Sequence, residues 1–99
     1  MPMRIISRKR LRDFWQKHAD AKAPLRAWFI DTKGATWNNS MDIKRLHRNA
    51  SFLADNRVVF NIKGNKYRLI AAINYDYSVV YIRFIGTHKE YDKIDAANV

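Results

Sequence analysis

Apolar side chains recur every second position from Val58 onward. Val58, Phe60 and Ile62 alternate with Val59, Asn61 and Lys63, which is the period of a strand with one buried face. Gly64-Asn65 follows, a pair that tolerates φ > 0 and closes two-residue hairpins. Lys66 to Tyr75 reads as the next strand and Val79 to Gly86 as the last, with the turn carried by Tyr75-Asp76-Tyr77-Ser78. Upstream the period is helical. Met3 to Ile6 is a short apolar run that reads as a first strand, and Ser7 is placed to cap a helix with Ile6 and Leu11 as a staple across the cap. Leu11, Phe14, Trp15 and His18 then share one face, while Arg8, Lys9, Arg12 and Asp13 take the other. A second helix begins near Asp20, tolerates Pro24 in its first turn, and turns Leu25, Trp28, Phe29 and Thr32 inward, with Gly34 at its end. The short connection makes the two helices an antiparallel hairpin.

The stretch from Trp37 to Arg57 has no clear period. Asn38-Asn39-Ser40 reads as a loop, Ser40 as the cap of a short turn through Leu46, and Phe52 and Leu53 as attachments to the core. A short tail lies near Lys89 to Ile94. The order β-α-α-(short helix)-β-β-β predicts an α+β fold in one domain, residues 1–99. Its N-terminal strand and two-helix hairpin pack on a mainly antiparallel sheet of about four strands.

Register sharpens this picture. A two-residue loop at Gly64-Asn65 sets Lys63 opposite Lys66, Ile62 opposite Tyr67 and Asn61 opposite Arg68. Phe60, Ile62, Tyr67 and Leu69 then form an apolar face for the helices, and Asn61, Lys63, Lys66 and Arg68 gather on the reverse. A four-residue loop over Tyr75 to Ser78 adds Arg83 to the reverse face with Tyr81 and Ile85. A three-residue loop would bury Arg83 under the helices, a costly place for a charge. Clustered cations repel one another unless an anion joins them, and a phosphate suits Arg and Lys donors. A solvated strand face with ordinary surface lysines accounts for Lys63 and Lys66 equally well.

Composition supports a polyanionic partner. The 99 residues hold 19 Lys and Arg against 9 Asp and Glu, a formal charge of +10, for which nucleic acid is the usual counterpart. The 47% hydrophobic and 13% aromatic content argues against disorder. With no cysteine, there is no disulfide scaffold, thiol nucleophile or thiolate metal site. Arg4, Arg8, Lys9, Arg10 and Arg12 interrupt any leader-like apolar run. No stretch reaches the roughly 18–20 apolar residues of a membrane span. The expectation is a soluble, cytoplasmic protein without a membrane partner.

The last strand ends in Thr87-His88-Lys89-Glu90-Tyr91. Histidine gives and takes protons near neutral pH, Lys89 can stabilise charge developing on a phosphorane, and Tyr91 can donate a hydrogen bond or stack. His18 reads as a core-edge residue; His47, in the irregular middle, has no assigned direction. There is no phosphate-binding glycine loop, HExxH or EF-hand pattern. Asp42, Asp55, Asp76 and Asp92 are scattered rather than paired as in two-metal nucleases. The chemistry this favours is cofactor-free and metal-free, with attack by the substrate's own 2′-hydroxyl, and therefore on RNA rather than DNA.

The run Asn56-Arg57-Val58-Val59-Phe60-Asn61-Ile62-Lys63-Gly64-Asn65-Lys66-Tyr67-Arg68-Leu69-Ile70 resembles the HigB toxins of the RelE superfamily. So does Tyr81-Ile82-Arg83-Phe84-Ile85-Gly86-Thr87-His88-Lys89-Glu90-Tyr91-Asp92, along with Ile5-Ile6-Ser7 and the segments at Ala27-Trp28 and Ala35-Thr36-Trp37. The resemblance implies a RelE-like fold, ribosome-dependent cleavage of messenger RNA, growth arrest, and neutralisation by a helix-turn-helix antitoxin called HigA. Operator DNA would be met only through the toxin–antitoxin complex. By that resemblance Arg68 matches the strand arginine that contacts the scissile phosphate, and His88, Lys89 and Tyr91 fall in the C-terminal catalytic segment. Asn61, Lys63, Lys66 and Arg83 would bind RNA. The chain lacks the longer lysine series of RelE itself. Two other readings stay open: a ParE-like poison of DNA gyrase, which has no need of a proton carrier, and a plain RNA-binding module, which leaves the strand-end residues unexplained.

Overall fold

The computed structural model describes residues 2–99. In chain order the elements are β1 (Arg4–Ile6), α1 (Lys9–Lys17), a 3-10 turn (Ala19–Ala21), α2 (Lys22–Gly34), α3 (Ser40–Leu46), β2 (Ser51–Phe52), β3 (Arg57–Ile62), β4 (Tyr67–Asn74), β5 (Val79–Thr87) and α4 (His88–Tyr91). The sheet runs β1-β5-β4-β3-β2, antiparallel except where β1 lies parallel to β5. It is the α+β arrangement the periodicity predicts, with five strands rather than about four. The additional strand is β2, whose two residues pair with Val59 and Val58 and are too few to show a period.

The hairpin register is the expected one: Asn61 opposite Arg68, Ile62 opposite Tyr67, Phe60 opposite Leu69. Positive φ falls on Lys63 and Gly64 rather than on Gly64 and Asn65, with the Lys66 amide donating to the Lys63 carbonyl at 3.2 Å. Phe60, Ile62, Tyr67 and Leu69 are all buried in the core beside Leu11, Leu25 and Trp28. Burying each large apolar side chain contributes about 1.5–3 kcal/mol. Phe60 is the hub: Trp28 meets it edge-on at 5.4 Å, Trp37 stacks at 6.2 Å, and His47 approaches at 4.9 Å.

Four local expectations change. Ser7 does not cap α1 through its side chain. It sits at φ 73° where β1 turns into the helix, and its carbonyl accepts from Arg10 N at 3.0 Å. The cap of α3 is Asn39, whose side chain accepts from Asp42 N at 3.2 Å. Phe52 lies on the edge strand and is 39% exposed; Trp37, Ile43 and Ala50 enter the core from this stretch instead. Asn74 pairs with Val79 as a four-residue loop requires, but a bulge lets Ile70 and Ala71 face Phe84 and Ile82, skipping Arg83. One extra residue reverses the alternation, so Ile85 packs toward the core instead of accompanying Arg83.

One ionic cluster ties the helices to the hairpin. The Asp20 carboxylate accepts from Tyr67 Oη at 2.5 Å and Lys66 Nζ at 2.5 Å, with Lys63 Nζ at 3.3 Å. The Lys66 and Tyr67 hydrogen bonds hold its pKa well below the ordinary 3.8. His47 is affected differently. Burial pushes its pKa below the ordinary 6.5, opposed by Asp31, and its Nε2 is buried without a partner among the described residues. The folded state thus favours an ionised Asp20 and a neutral His47.

Both groups bind protons more weakly folded than unfolded, so stability is complete above the ordinary values and falls on acidification. The melting temperature should decline below pH 6.5 as His47 takes up a proton, and again below pH 4.5, where Glu90 and then Asp20 do. Thermal unfolding of His47→Gln should lose the first decline only, and that of Asp20→Asn should reduce the acid decline and leave the first unchanged.

Candidate active site

The sheet presents its reverse face to the side away from the helix hairpin. There Arg68 Nη1 donates to Asn61 Oδ1, its cross-strand partner, and reaches Asn65 Oδ1 at 3.4 Å. Both Asn61 and Arg68 are half-buried. The Arg68 guanidinium carbon lies 5.7 Å from the centre of the Tyr91 ring. A half-buried guanidinium held by an amide on one side and an aromatic ring on the other has few rotamers left, and its remaining N–H groups are aimed in advance.

Tyr91 reaches Arg68 because α4 folds back over the end of the sheet. Thr87 and Glu90 form a capping box: Thr87 Oγ1 accepts from Glu90 N at 3.1 Å, and Glu90 Oε1 accepts from Thr87 N at 2.8 Å. The Thr87 amide is the main cause of the lowered Glu90 pKa. Gly86, which faces Arg68 across the ladder, leaves room for the Phe84 ring and the Glu90 carboxylate. A Cβ there would lie 2.5 Å from Phe84 Cζ and 3.2 Å from Glu90 Oε1.

His88 begins α4, its amide donating to the Lys66 carbonyl at 3.2 Å. His88, Tyr91 and Asp92 stand at i, i+3 and i+4, one side of a helical turn, so the imidazole shares the side of α4 that carries Tyr91 to Arg68. His88 Nδ1 lies 3.1 Å from Asp92 Oδ2. When Nδ1–H donates to this carboxylate, Nε2 is left with its lone pair outward, the tautomer of a general base. Lys89 is exposed and projects about 100° round the turn from His88. It belongs to the same segment without joining the Arg68–Tyr91 contact.

The other predicted residues divide. Lys63 and Lys66 turn to Asp20 instead of lining up beside Arg68. The carboxylate that draws them lies over 40 positions upstream, so the strand pattern gave no sign of it. Arg83, in the bulge, donates from Nε to the Val99 main-chain oxygen at 3.3 Å. The same oxygen accepts from Arg57 Nε at 3.1 Å and Nη2 at 2.7 Å. His18 stacks on Phe14 at 4.4 Å, at the core edge as expected, and His47 belongs to the Phe60 cluster. Two residues escaped the sequence reading. Asp92 was legible as an i+4 partner of His88 once that segment is taken as helix; Arg57 carried no signal, since its contact depends on the returning tail. Among the described residues, no group of His, Asp and Glu is arranged to hold a metal ion, and no helix is long and apolar enough to cross a membrane.

A helix hairpin on one side of a mainly antiparallel sheet, with Arg68 on the other and a short C-terminal helix bringing Tyr91 to it, is a build compatible with a RelE-like toxin. Residues 21–94 match the family model HigB_toxin, described as the RelE-like toxic component of a toxin-antitoxin system. The chain belongs to the HigB toxin family. It is 30% identical over 99 residues to the mRNA interferase toxin HigB of Escherichia coli strain K12, covering 97% of this chain and 94% of that one. The mRNA interferase HigB proteins of Escherichia coli O157:H7 and Shigella flexneri match to the same extent.

The capping box holds α4 in place over Arg68. Thr87→Ala removes the cap acceptor and should lower stability by about 1 kcal/mol. Hydrogen exchange should show the α4 amides opening first, with β3 and β4 unchanged; unchanged α4 protection would mean that the cap does not hold the segment.

Proposed function

We propose that this chain is a single-domain endoribonuclease toxin that cleaves messenger RNA on the ribosome and is neutralised by a helix-turn-helix antitoxin. The observation that carries the reading is the convergence of α4 on Arg68: a preorganised guanidinium, a phenol against it, and an imidazole oriented by a carboxylate on the same side of one helical turn. The relatives named mRNA interferase support the substrate class, and the family description supports an antitoxin partner. Operator DNA is contacted only within the toxin–antitoxin complex, and the site of action is the cytoplasm.

The geometry suits transesterification within the RNA. The ribose 2′-hydroxyl attacks the adjacent phosphorus, His88 Nε2 removes its proton, and Arg68 offers two N–H groups to the non-bridging oxygens as charge gathers there. Tyr91 donates to the phosphate or the departing 5′-oxygen, and Lys89, exposed round the turn, adds positive charge at the edge of the site. The P–O5′ bond breaks, the leaving oxygen takes a proton from solvent while His88 returns its proton to solvent, and the products are a 2′,3′-cyclic phosphate and a 5′-hydroxyl. The nucleophile belongs to the substrate, so the route needs no bound metal. Asn61 fixes the Arg68 fork. Arg83 with Arg57 extends the cationic surface for flanking phosphates, while Lys63 and Lys66 retain net positive charge at its rim beside Asp20.

Induced expression should arrest growth and produce new transcript 5′ ends within translated regions. Arg68→Ala should lower cleavage about 100- to 1,000-fold, and His88→Ala about 100- to 10,000-fold. A 2′-deoxy nucleotide at the cleaved position should abolish the reaction. Arrest with intact transcripts and blocked gyrase supercoiling would refute the proposal.

A further inference from the structure

The reverse face of the sheet continues well beyond Arg68. Cross-strand partners share a face, so Arg57, Ala72 and Tyr81 form one row across β3, β4 and β5, and Asn61, Arg68 and Gly86 form another. The two rows lie about 13 Å apart along β4. Arg83, set off by the bulge, reaches the Arg57 end: its Nε and the Arg57 Nε and Nη2 all donate to the Val99 main-chain oxygen. Among the described residues, neither guanidinium forms a salt bridge with an Asp or Glu side chain. Two cations thus converge on a single oxygen acceptor. Beside them Tyr81 is 41% exposed and borders a hollow of about 320 Å³ with Ala72, Asn56, Asn74, Asp55 and Asp76.

Taking RNA as the substrate at Arg68, as proposed, we infer that this end of the sheet is a second nucleotide subsite, with a flanking phosphate on Arg57 and Arg83 and a base stacked on Tyr81. Residues 95–99 fill the phosphate position until RNA displaces them. The chemistry divides the subsite. Guanidiniums present paired N–H donors to phosphate oxygens, whereas Asp55 and Asp76 repel phosphate and, with the two amides, accept from base N–H groups. An open tyrosine ring takes the π-face of any base. The 95–99 segment is drawn back by its own turn: Asp95 O accepts from Asn98 N at 3.0 Å, Asp95 Oδ2 from Asn98 Nδ2 at 2.5 Å, and Asp95 Oδ1 from Ala97 N at 3.2 Å. These few exposed hydrogen bonds open at small cost, as displacement requires. Val59 and Ile70 lie in the row between, outside the helix-side core and yet 3% and 0% exposed, so the reverse face is covered between Arg68 and Arg57.

The test measures binding of the full chain to a 2′-O-methyl RNA of about 8 nucleotides, which cannot be cleaved, over a range of salt. Arg57→Ala and Arg83→Ala should each weaken binding and flatten the slope of log Kd against log salt by about 0.7. Tyr81→Ala should weaken it about tenfold, and Tyr81→Phe should restore it because the ring remains. Arg83 and Tyr81 are exposed, so the melting temperatures of their variants should match that of the parent. Asn98→Pro removes both Asn98 donors without changing charge and should tighten binding roughly threefold. In the Arg57→Ala background the same change should do nothing. A gain of affinity cannot come from misfolding. Unchanged affinity and salt slope in the arginine variants, unchanged binding by Tyr81→Ala, or no gain from Asn98→Pro would overturn the inference. If Arg68→Ala weakens binding and these variants do not, the subsite is absent and the proposed cleavage stands; if the parent chain binds no RNA, both fall.

Discussion

The pairing of β3 with β4 decides what each side of this molecule can do. Side chains alternate along a strand, so a slip of one residue would exchange the two faces completely. In the observed register Phe60, Ile62, Tyr67 and Leu69 enter the core while Asn61 and Arg68 share the opposite face. The tight turn at Lys63–Gly64 and the apolar demand of Trp28 and Leu25 enforce the same register from two directions. Asp20 adds a third constraint by binding Tyr67, Lys66 and Lys63 together. A single carboxylate thereby ties the helix hairpin to the tip of the strand hairpin and partly neutralises the cations there.

The candidate site is built late in the chain and depends on a short element. A helix of four residues cannot sustain itself, and α4 is held by its capping box, by the His88 amide on the Lys66 carbonyl, and by the space above Gly86. These contacts set Tyr91 against Arg68 and keep His88 and Asp92 on the same side of the turn. Charge is distributed to match. Arg68 stands on the reverse face, where Arg57 and Arg83 share the Val99 oxygen, and Arg8, Lys22, Arg26 and Lys33 surround an apolar groove on the helix layer. The net charge of +10 is therefore spread over both faces of the molecule.

Local pattern and short-range chemistry were enough for much of this. The period of two, the turn beside Gly64 and the helical stripes of Leu11–Phe14–Trp15 and Leu25–Trp28–Thr32 are properties of neighbouring residues, and they fix the α+β class, the hairpin register and the placing of Arg68. The four-residue loop that pairs Asn74 with Val79 was legible in the same way. Contacts between distant segments left no such trace. Lys63 and Lys66 turn toward Asp20, Arg57 and Arg83 converge on Val99, the bulge at Arg83 redirects Ile85, and the edge strand β2 exists only because β3 lies beside it. Alternation reports which way a side chain leaves the backbone. Which partner it meets depends on parts of the chain brought together by folding, and only the tertiary structure decided that.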